Sequence, residues 1–357
     1  MKMNNFLEGK SRMEYLPLGK TGLKIPPIIF GTSSLGNLYR VLSDNTKFDI
    51  VNECFKNVRI PVFDSAGKYG AGLSLESLGK CFHRLNINPE DVIISNKLGW
   101  IRTELKTPEP TFEQGAWFGL KHDAIQKISY DGIISCYEQG NELLGEIYKP
   151  QLLSVHDPDE YMNQGENPEE KESFFTDILG AYRALSDLRE TGKAKAIGIG
   201  AKDWKIIKKV AGYVKLDWVM FANSLTIMNH PPDLLAFMDE LFKKGVTIIN
   251  SAVFHGGFLT GSDYFDYKLI TPETDGLKFQ WRKTFYDLCE KYDISPSVAC
   301  VNFGMTPPGV AAISLNTSNP GRVKDNVESI SAKVPKEFYA EMVKKGLISK
   351  DYPYLDL

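Results

Sequence analysis

The stretch "PVFDSAGKYGAGLSLESLGKCFHRL", residues 61–85, decides how this chain folds. It opens on a short apolar run that ends in an acid and a serine, "PVFDS" (61–65), and closes on "SLESLGKCFHRL" (74–85), whose apolar residues recur at helical spacing. A strand followed by an amphipathic helix is the repeating unit of α/β proteins. That unit recurs along the chain. The other apolar runs are "PIIFG" (27–31), "VIISNK" (92–97), "LLSVHD" (152–157), "AIGIG" (196–200), "WVMFAN" (218–223), "VTIINS" (246–251) and "VAAIS" (310–314), eight in all with the first. Their apolar residues are mostly unbroken, as in parallel strands covered on both faces. Helical patterns lie between them, and those at 174–193 and 232–245 close with Gly192 and Gly245, where helices stop.

Eight strand-helix units close into a barrel more naturally than they open into a sheet, so the expected fold is α/β, a (β/α)8 TIM barrel. Ahead of it, "MEYLPLGKTGLKIPPIIFG" (13–31) predicts an N-terminal β-hairpin turning at Lys20-Thr21-Gly22. No linker divides the chain, which predicts a single domain over 13–357 after a flexible tail at 1–12. Three connections, 98–127, 157–172 and 252–277, exceed ordinary barrel turns. All follow strands, which puts these long loops on the C-terminal rim where barrel enzymes build their sites. They carry Trp100, Trp117, Phe118, His122, Phe254, His255, Tyr264 and Tyr267, aromatic residues that either wall a pocket or fold onto the barrel.

The chain has 357 residues, a net charge of −3, 43% hydrophobic and 24% charged residues, an ordinary globular composition. It has no basic block able to track a phosphate backbone and no membrane-spanning run, so neither nucleic acid nor membrane is an expected partner. The expected partner is a small-molecule substrate. Five dispersed cysteines without a CxxC pair suit reduced thiols, and "MKMNNFLEGKSRM" lacks the apolar core of a signal peptide, which together predict a cytoplasmic protein.

Several motifs fail. "LGKTG" lacks the earlier glycine of a phosphate-binding loop, because position 14 is Glu, and "GIGAKD" (198–203) places Asp203 where a dinucleotide fingerprint needs its third glycine. The histidines show no metal-ligand spacing, so no metal is expected, and there is no GxSxG elbow. What survives lies at successive strand ends. The second run presents Asp64 and then Tyr69, the third ends in Lys97, and the fourth in His156. Neighbouring strands are about 5 Å apart, so these four groups can share one rim. An ammonium beside a phenol favours the phenolate, a carboxylate keeps that ammonium charged, and an imidazole can bond the reacting oxygen or share the proton. The expected chemistry is proton transfer at an alcohol or carbonyl oxygen, with Lys97 lowering the proton affinity of Tyr69.

These residues resemble the aldo-keto reductase family: "FDSAGKYG" is similar to its Asp-to-Tyr motif, "SNKLGW" to its lysine segment and "SVHDPD" to its histidine, and the likeness runs from "LGKTGLKIPPIIFGT" to "SNPGRVKDNV". The resemblance implies a barrel using NAD or NADP, with Tyr69 as general acid/base supported by Asp64, Lys97 and His156. "SVHDPD", "GIGAK" and "FHGGFLTGSDYFDY" are similar to the branch of sugar and pyridoxal dehydrogenases, which implies oxidation of an aldose C1 hydroxyl to a lactone, of the L-fucose or D-threo-aldose type, or else turnover of pyridoxal or another nonsugar carbonyl. A noncatalytic barrel subunit is the reading from another class. By the same comparison Thr32, Leu35, Asp64 and Asn223, then Phe254, Gly256, Gly257 and Leu259, then Ser314, Asn316, Ser318, Arg322 and Asn326 are implied as cofactor contacts, and Trp100, Trp117 and His156 as substrate contacts. Leu315 stands where many members carry a lysine for the NADPH phosphate, which favours NAD, while Arg322 keeps NADP open. Gly200-Ala201 and Ala222 replace the usual amide-gripping residues.

Overall fold

A computed structural model describes residues 13–266, 268–355 and 357. The tail at 1–12 and Tyr267 lie outside the described residues. Eight parallel strands close a barrel in chain order: β1 (Ile28–Gly31), β2 (Val62–Ala66), β3 (Ile93–Leu98), β4 (Leu152–His156), β5 (Ala196–Ala201), β6 (Trp218–Ala222), β7 (Thr247–Ser251) and β8 (Val310–Leu315). Each lies within a residue or two of its apolar run. Helices return the chain between strands: α1 (Asp44–Asn57), α2 (Leu73–Leu85), α3 (Tyr130–Leu143), the short α4 (Pro158–Met162), α5 (Pro168–Glu190), α6 (Trp204–Ala211), α7 (Pro232–Lys243), then α8 (Pro272–Lys291) and α9 (Pro296–Gly304) before β8, with α10 (Arg322–Ser329) and α11 (Lys336–Lys344) behind it. Helix α5 begins six residues before its apolar periodicity does, because Pro168 opens it and the Asn167 side chain accepts the Glu170 amide at 2.9 Å.

The register of the strands sorts the inward side chains into a floor and a top. Partnered residues on parallel strands share a face, and alternate residues of each strand point inward. The lower inward layer, Ile29, Val62, Ile93, Leu152, Ala196, Trp218, Ile249 and Ala312, forms one buried apolar cluster. The N-terminal hairpin, Leu16–Pro17 paired with Lys24–Ile25, plugs this end with Leu18 and Ile25, both fully buried in the same cluster. Trp218 fills the floor because its neighbour across the sheet is Gly198. A Cβ on Gly198 would stand 2.1 Å from the Trp218 ring.

The three long connections hold structure of their own. An antiparallel hairpin pairs Trp100–Glu104 with His122–Gln126. Helix α4 lies in the second loop. In the third, Tyr264–Phe265 pairs with Lys268–Leu269, and His255 ties the loop down through Thr226 at 2.7 Å and Asp266 at 2.9 Å.

Candidate active site

Above the apolar floor the same inward column turns polar. Asp64 is partnered with Ser95, Lys97 with Ser154, and His156 with Gly200, so Asp64, Lys97 and His156 all face the barrel axis at its C-terminal end. Gly31, Asp64, Lys97, His156, Gly200, Met220, Ala222, Ser251 and Ser314 line the base of a cavity of about 940 Å³ that opens between the rim loops. Gly200 leaves room for the lysine stem, since a Cβ there would approach Lys97 Cδ to 3.3 Å. The glycines of "GIGA" therefore serve side-chain packing inside the barrel.

Tyr69 reaches this cavity from the turn after β2. That turn lies against the loop after β1 so closely that a Cβ on Gly70 would meet the Gly36 carbonyl oxygen at 2.2 Å, which is why small residues surround the tyrosine. Lys97 and Asp64 form an ion pair, both nearly inaccessible to solvent, and Ser95 donates to the other Asp64 oxygen at 2.9 Å. The Lys97 ammonium sits 4.7 Å from the centre of the Tyr69 ring, and the His156 ring stands perpendicular to it at 5.5 Å. The four groups expected to share a rim are together.

Their protonation differs from the expectation. Burial pushes the Tyr69 phenol well above its ordinary value, the Asp64 and Asp157 carboxylates push it further, and Lys68 offsets only part of this. Lys97 does not make it a phenolate, because Asp64 neutralises the ammonium at short range. Burial holds His156 well below the usual imidazole range; Asp157 opposes this, while Lys97, Lys68 and Lys202 reinforce it. At neutral pH the site therefore presents a neutral phenol next to a neutral imidazole, a donor for a reacting oxygen beside a proton acceptor.

Of the expected cofactor contacts, Asp64, Asn223, Phe254, Gly256, Gly257, Ser314, Asn316, Ser318, Arg322 and Asn326 line the cavity. Thr32, Leu35 and Leu259 do not. The Thr32 hydroxyl is buried and committed to the Asp64 carbonyl at 3.0 Å, and Leu35 and Leu259 belong to the apolar core. Ser33 and Ser34 line the cavity in place of Thr32 and Leu35. Trp100 and Trp117 also stand behind its wall: Trp117 packs on the Tyr69 ring at 5.9 Å and donates to Glu113 at 2.8 Å, and Trp100 lies under the Lys68 ammonium at 5.0 Å. Sequence reasoning missed Arg40, Asp157, Lys202 and Asp325, all of which line the cavity. Asp157 had a visible signal in its place directly after His156, whereas Arg40 lay in a loop without a pattern.

The profile of the Aldo/keto reductase family matches residues 27–346. The chain belongs to that family. It is 27% identical to a pyridoxal 4-dehydrogenase from Microbacterium luteolum over 93% of this chain and 97% of that one, and 24% identical to a D-threo-aldose 1-dehydrogenase from a Pseudomonas species over 92% and 96%. The holo structure of an aldo-keto reductase from Bacillus halodurans shares the fold at a TM-score of 0.66 and 17% identity, over 95% of this chain and 99% of that one.

Aldo-keto reductases are oxidoreductases that use NAD(P)H, and the cavity suits such a dinucleotide. Asn223, in the left-handed region at φ 59°, lines the cavity with its Oδ1 buried and without a hydrogen-bond partner among the described residues, an acceptor matched to a carboxamide N–H. Arg40, Ser318, Arg322 and Asn326 also line the cavity, and Arg40 donates to the Ser318 hydroxyl at 2.7 Å. No group of His, Cys, Asp and Glu among the described residues is arranged to hold a metal, and no described helix is long and apolar enough to cross a membrane.

Proposed function

We propose that this protein is an NAD(P)-dependent oxidoreductase that oxidises the C1 hydroxyl of a cyclic aldose of the L-fucose or D-threo-aldose type to a lactone. The observation that carries this reading is the meeting of Tyr69, Lys97, Asp64 and His156 at the base of one cavity of about 940 Å³. Asn223, Ser314, Asn316 and Arg322 would hold a nicotinamide dinucleotide, which when bound would supply or take up hydride. NAD is the preferred form in this reading: Leu315 offers no ammonium, and Asp325 adds a carboxylate that accepts ribose hydroxyls and repels a phosphate.

Tyr69 lines the cavity, and in this reading its phenol hydrogen-bonds the substrate oxygen. In reduction its proton passes to that oxygen as the carbonyl carbon gains hydride. In oxidation the C1–H bond gives up hydride, the O–H proton leaves through Tyr69, and neutral His156 is the adjacent acceptor. Asp64 and Lys97 fix the electrostatic surroundings of the ring, and the apolar floor keeps bulk water from entering beneath.

A second reading, oxidation of pyridoxal, is favoured by the similarity to pyridoxal 4-dehydrogenase along nearly the full chain. The two share one chemistry, since pyridoxal also closes on its own hydroxyl to a cyclic hemiacetal. The deciding experiment mixes the purified protein with NAD+ or NADP+ and a panel of L-fucose, D-arabinose, L-galactose and pyridoxal, and follows the reduced-nicotinamide absorbance. Turnover of a sugar, faster with NAD+, is expected. Pyridoxal turnover without sugar turnover transfers the assignment to the second reading, and inactivity with every hemiacetal refutes both.

A further inference from the structure

Immediately before Tyr69 stands a lysine that belongs neither to the group of Tyr69, Asp64, Lys97 and His156 nor to the cavity lining. The Lys68 side chain is 2% exposed and forms ion pairs with Glu113 at 2.8 Å, Asp157 at 3.1 Å and Glu160 at 2.6 Å. Those carboxylates come from the loop after β3 and the loop after β4. Lys202, after β5, joins the cluster through Glu160 at 2.7 Å. Burying an ammonium among three carboxylates is costly to assemble, and removing the ammonium strands the carboxylates, so the cluster is rigid once formed.

Two arms lead from this ammonium to the same ring. In the first, Glu113 pairs with Lys68 through Oε1 and accepts the Trp117 indole N–H at Oε2, 2.8 Å away, and Trp117 packs on the Tyr69 ring at 5.9 Å. In the second, Asp157 Oδ2 is shared between Lys68 and His156 Nε2, the latter 3.5 Å away, and His156 stands edge-on to Tyr69 at 5.5 Å. Asp157 itself adopts the left-handed region at φ 46°, a strained position for a side chain other than glycine, which the surrounding contacts must enforce. We propose that Lys68 is a positioning residue for proton transfer: through Glu113–Trp117 and Asp157–His156 it fixes the Tyr69 ring and the imidazole in the geometry the reaction needs.

Lys68 lies behind the cavity wall and touches neither substrate nor dinucleotide. Its influence is mechanical and electrostatic. The charged groups facing His156 are Asp157 on its own loop, Lys97 from β3, Lys202 after β5 and Lys68 after β2, with Tyr69 beside it; all three ammoniums disfavour the imidazolium. Without Lys68, Asp157 is free to stabilise a protonated His156.

The inference rests on Tyr69 as the proton-transferring group, and its test separates the two. Lys68→Met is expected to lower kcat about tenfold to a hundredfold, the scale of a small misplacement of reacting groups, with little change in KM for the dinucleotide. By 15N NMR of the imidazoles, assigned through the signal lost in His156→Gln, the titration midpoint of His156 is expected to move to higher pH in Lys68→Met than in the parent protein, in which burial and three ammoniums hold it well below the usual imidazole range. If the single variant does not fold, Lys68→Met with Glu160→Gln, which removes one stranded carboxylate, carries both readouts. An unchanged kcat, or a lowered kcat with the His156 titration unmoved, overturns the proposal. Turnover that survives Tyr69→Phe sinks the tyrosine assignment instead, and the NMR titration still reports on Lys68 alone.

Discussion

Tyr69 illustrates how far a single residue depends on charges that nearly cancel. Lys97 is 4.7 Å from its ring, yet the phenol is held above its ordinary range by burial and by Asp64, the carboxylate that engages the same lysine. The sign of the pH dependence follows. With the folded-state value raised, the phenol is protonated across pH 6–9, so carbonyl reduction, which uses the proton, is expected to be flat over that range. Oxidation, in which Tyr69 relays the proton to His156, is expected to be flat from pH 7 to 9 as well, because the imidazole acceptor is already neutral there. Single-turnover rates in both directions, free of product release, check this, and an oxidation rate that rises about tenfold per pH unit would put the free phenolate in place of the imidazole as the acceptor. Tyr69→Phe removes the proton carrier and is expected to cost about 10²–10⁴ in kcat while leaving the dinucleotide dissociation constant, read by fluorescence titration, unchanged. The four groups were legible in the sequence because each ends or follows an apolar run. The proton affinity of Tyr69 was not, because it depends on whether Asp64 or the phenol receives the lysine's charge, and that is a matter of ångströms.

Among the elements, strand β5 shows why a weak motif was best set aside. Its glycines resemble part of a dinucleotide fingerprint, yet their work lies inside the barrel: Gly198 admits the Trp218 ring and Gly200 admits the Lys97 stem. The two substitutions should separate. Gly198→Ala drives a Cβ to 2.1 Å from a rigid indole that has nowhere to go, so a loss of at least the about 1–3 kcal/mol typical of overpacking is expected in urea unfolding. Gly200→Ala approaches a flexible methylene at 3.3 Å and is expected to leave stability within about 1 kcal/mol while lowering kcat by displacing Lys97. Equal destabilisation by both would contradict the division. The eight strands could be read in advance because each is a run of apolar residues buried on both faces. The hairpin within 98–127 could not, since "WIRTE" and "HDAIQ" are half exposed and carry little apolar alternation, and the hairpin leans on tertiary contacts such as the Arg102 amide donating to the Gln139 side chain at 2.7 Å.

The molecule as a whole divides along the barrel axis into an apolar end that holds it together and a polar end that does the chemistry. Alternation along every strand puts both on the same inward column, and on three strands the boundary is one step of two residues: Val62 to Asp64, Ile93 to Ser95 and Leu152 to Ser154. The plug and the floor were legible as a hairpin and as strand beginnings. The membership of the cavity was less so, because Arg40, Lys202 and Asp325 come from two separate loops and from helix α10, which only barrel closure brings together. Stability and turnover should therefore be separable by position. Leu18→Ala or Ile25→Ala empties a fully buried site at the closed end and is expected to cost about 2–5 kcal/mol, with kcat at a temperature well below unfolding within twofold of the parent. Lys97→Met acts at the open end: it strands the buried Asp64 carboxylate at a cost of about 3–5 kcal/mol and also suppresses turnover, since the charge beside the Tyr69 ring changes sign. Chemical denaturation paired with single-turnover rates distinguishes the two ends, and a large kcat loss in either plug variant would show that the floor reaches the chemistry after all.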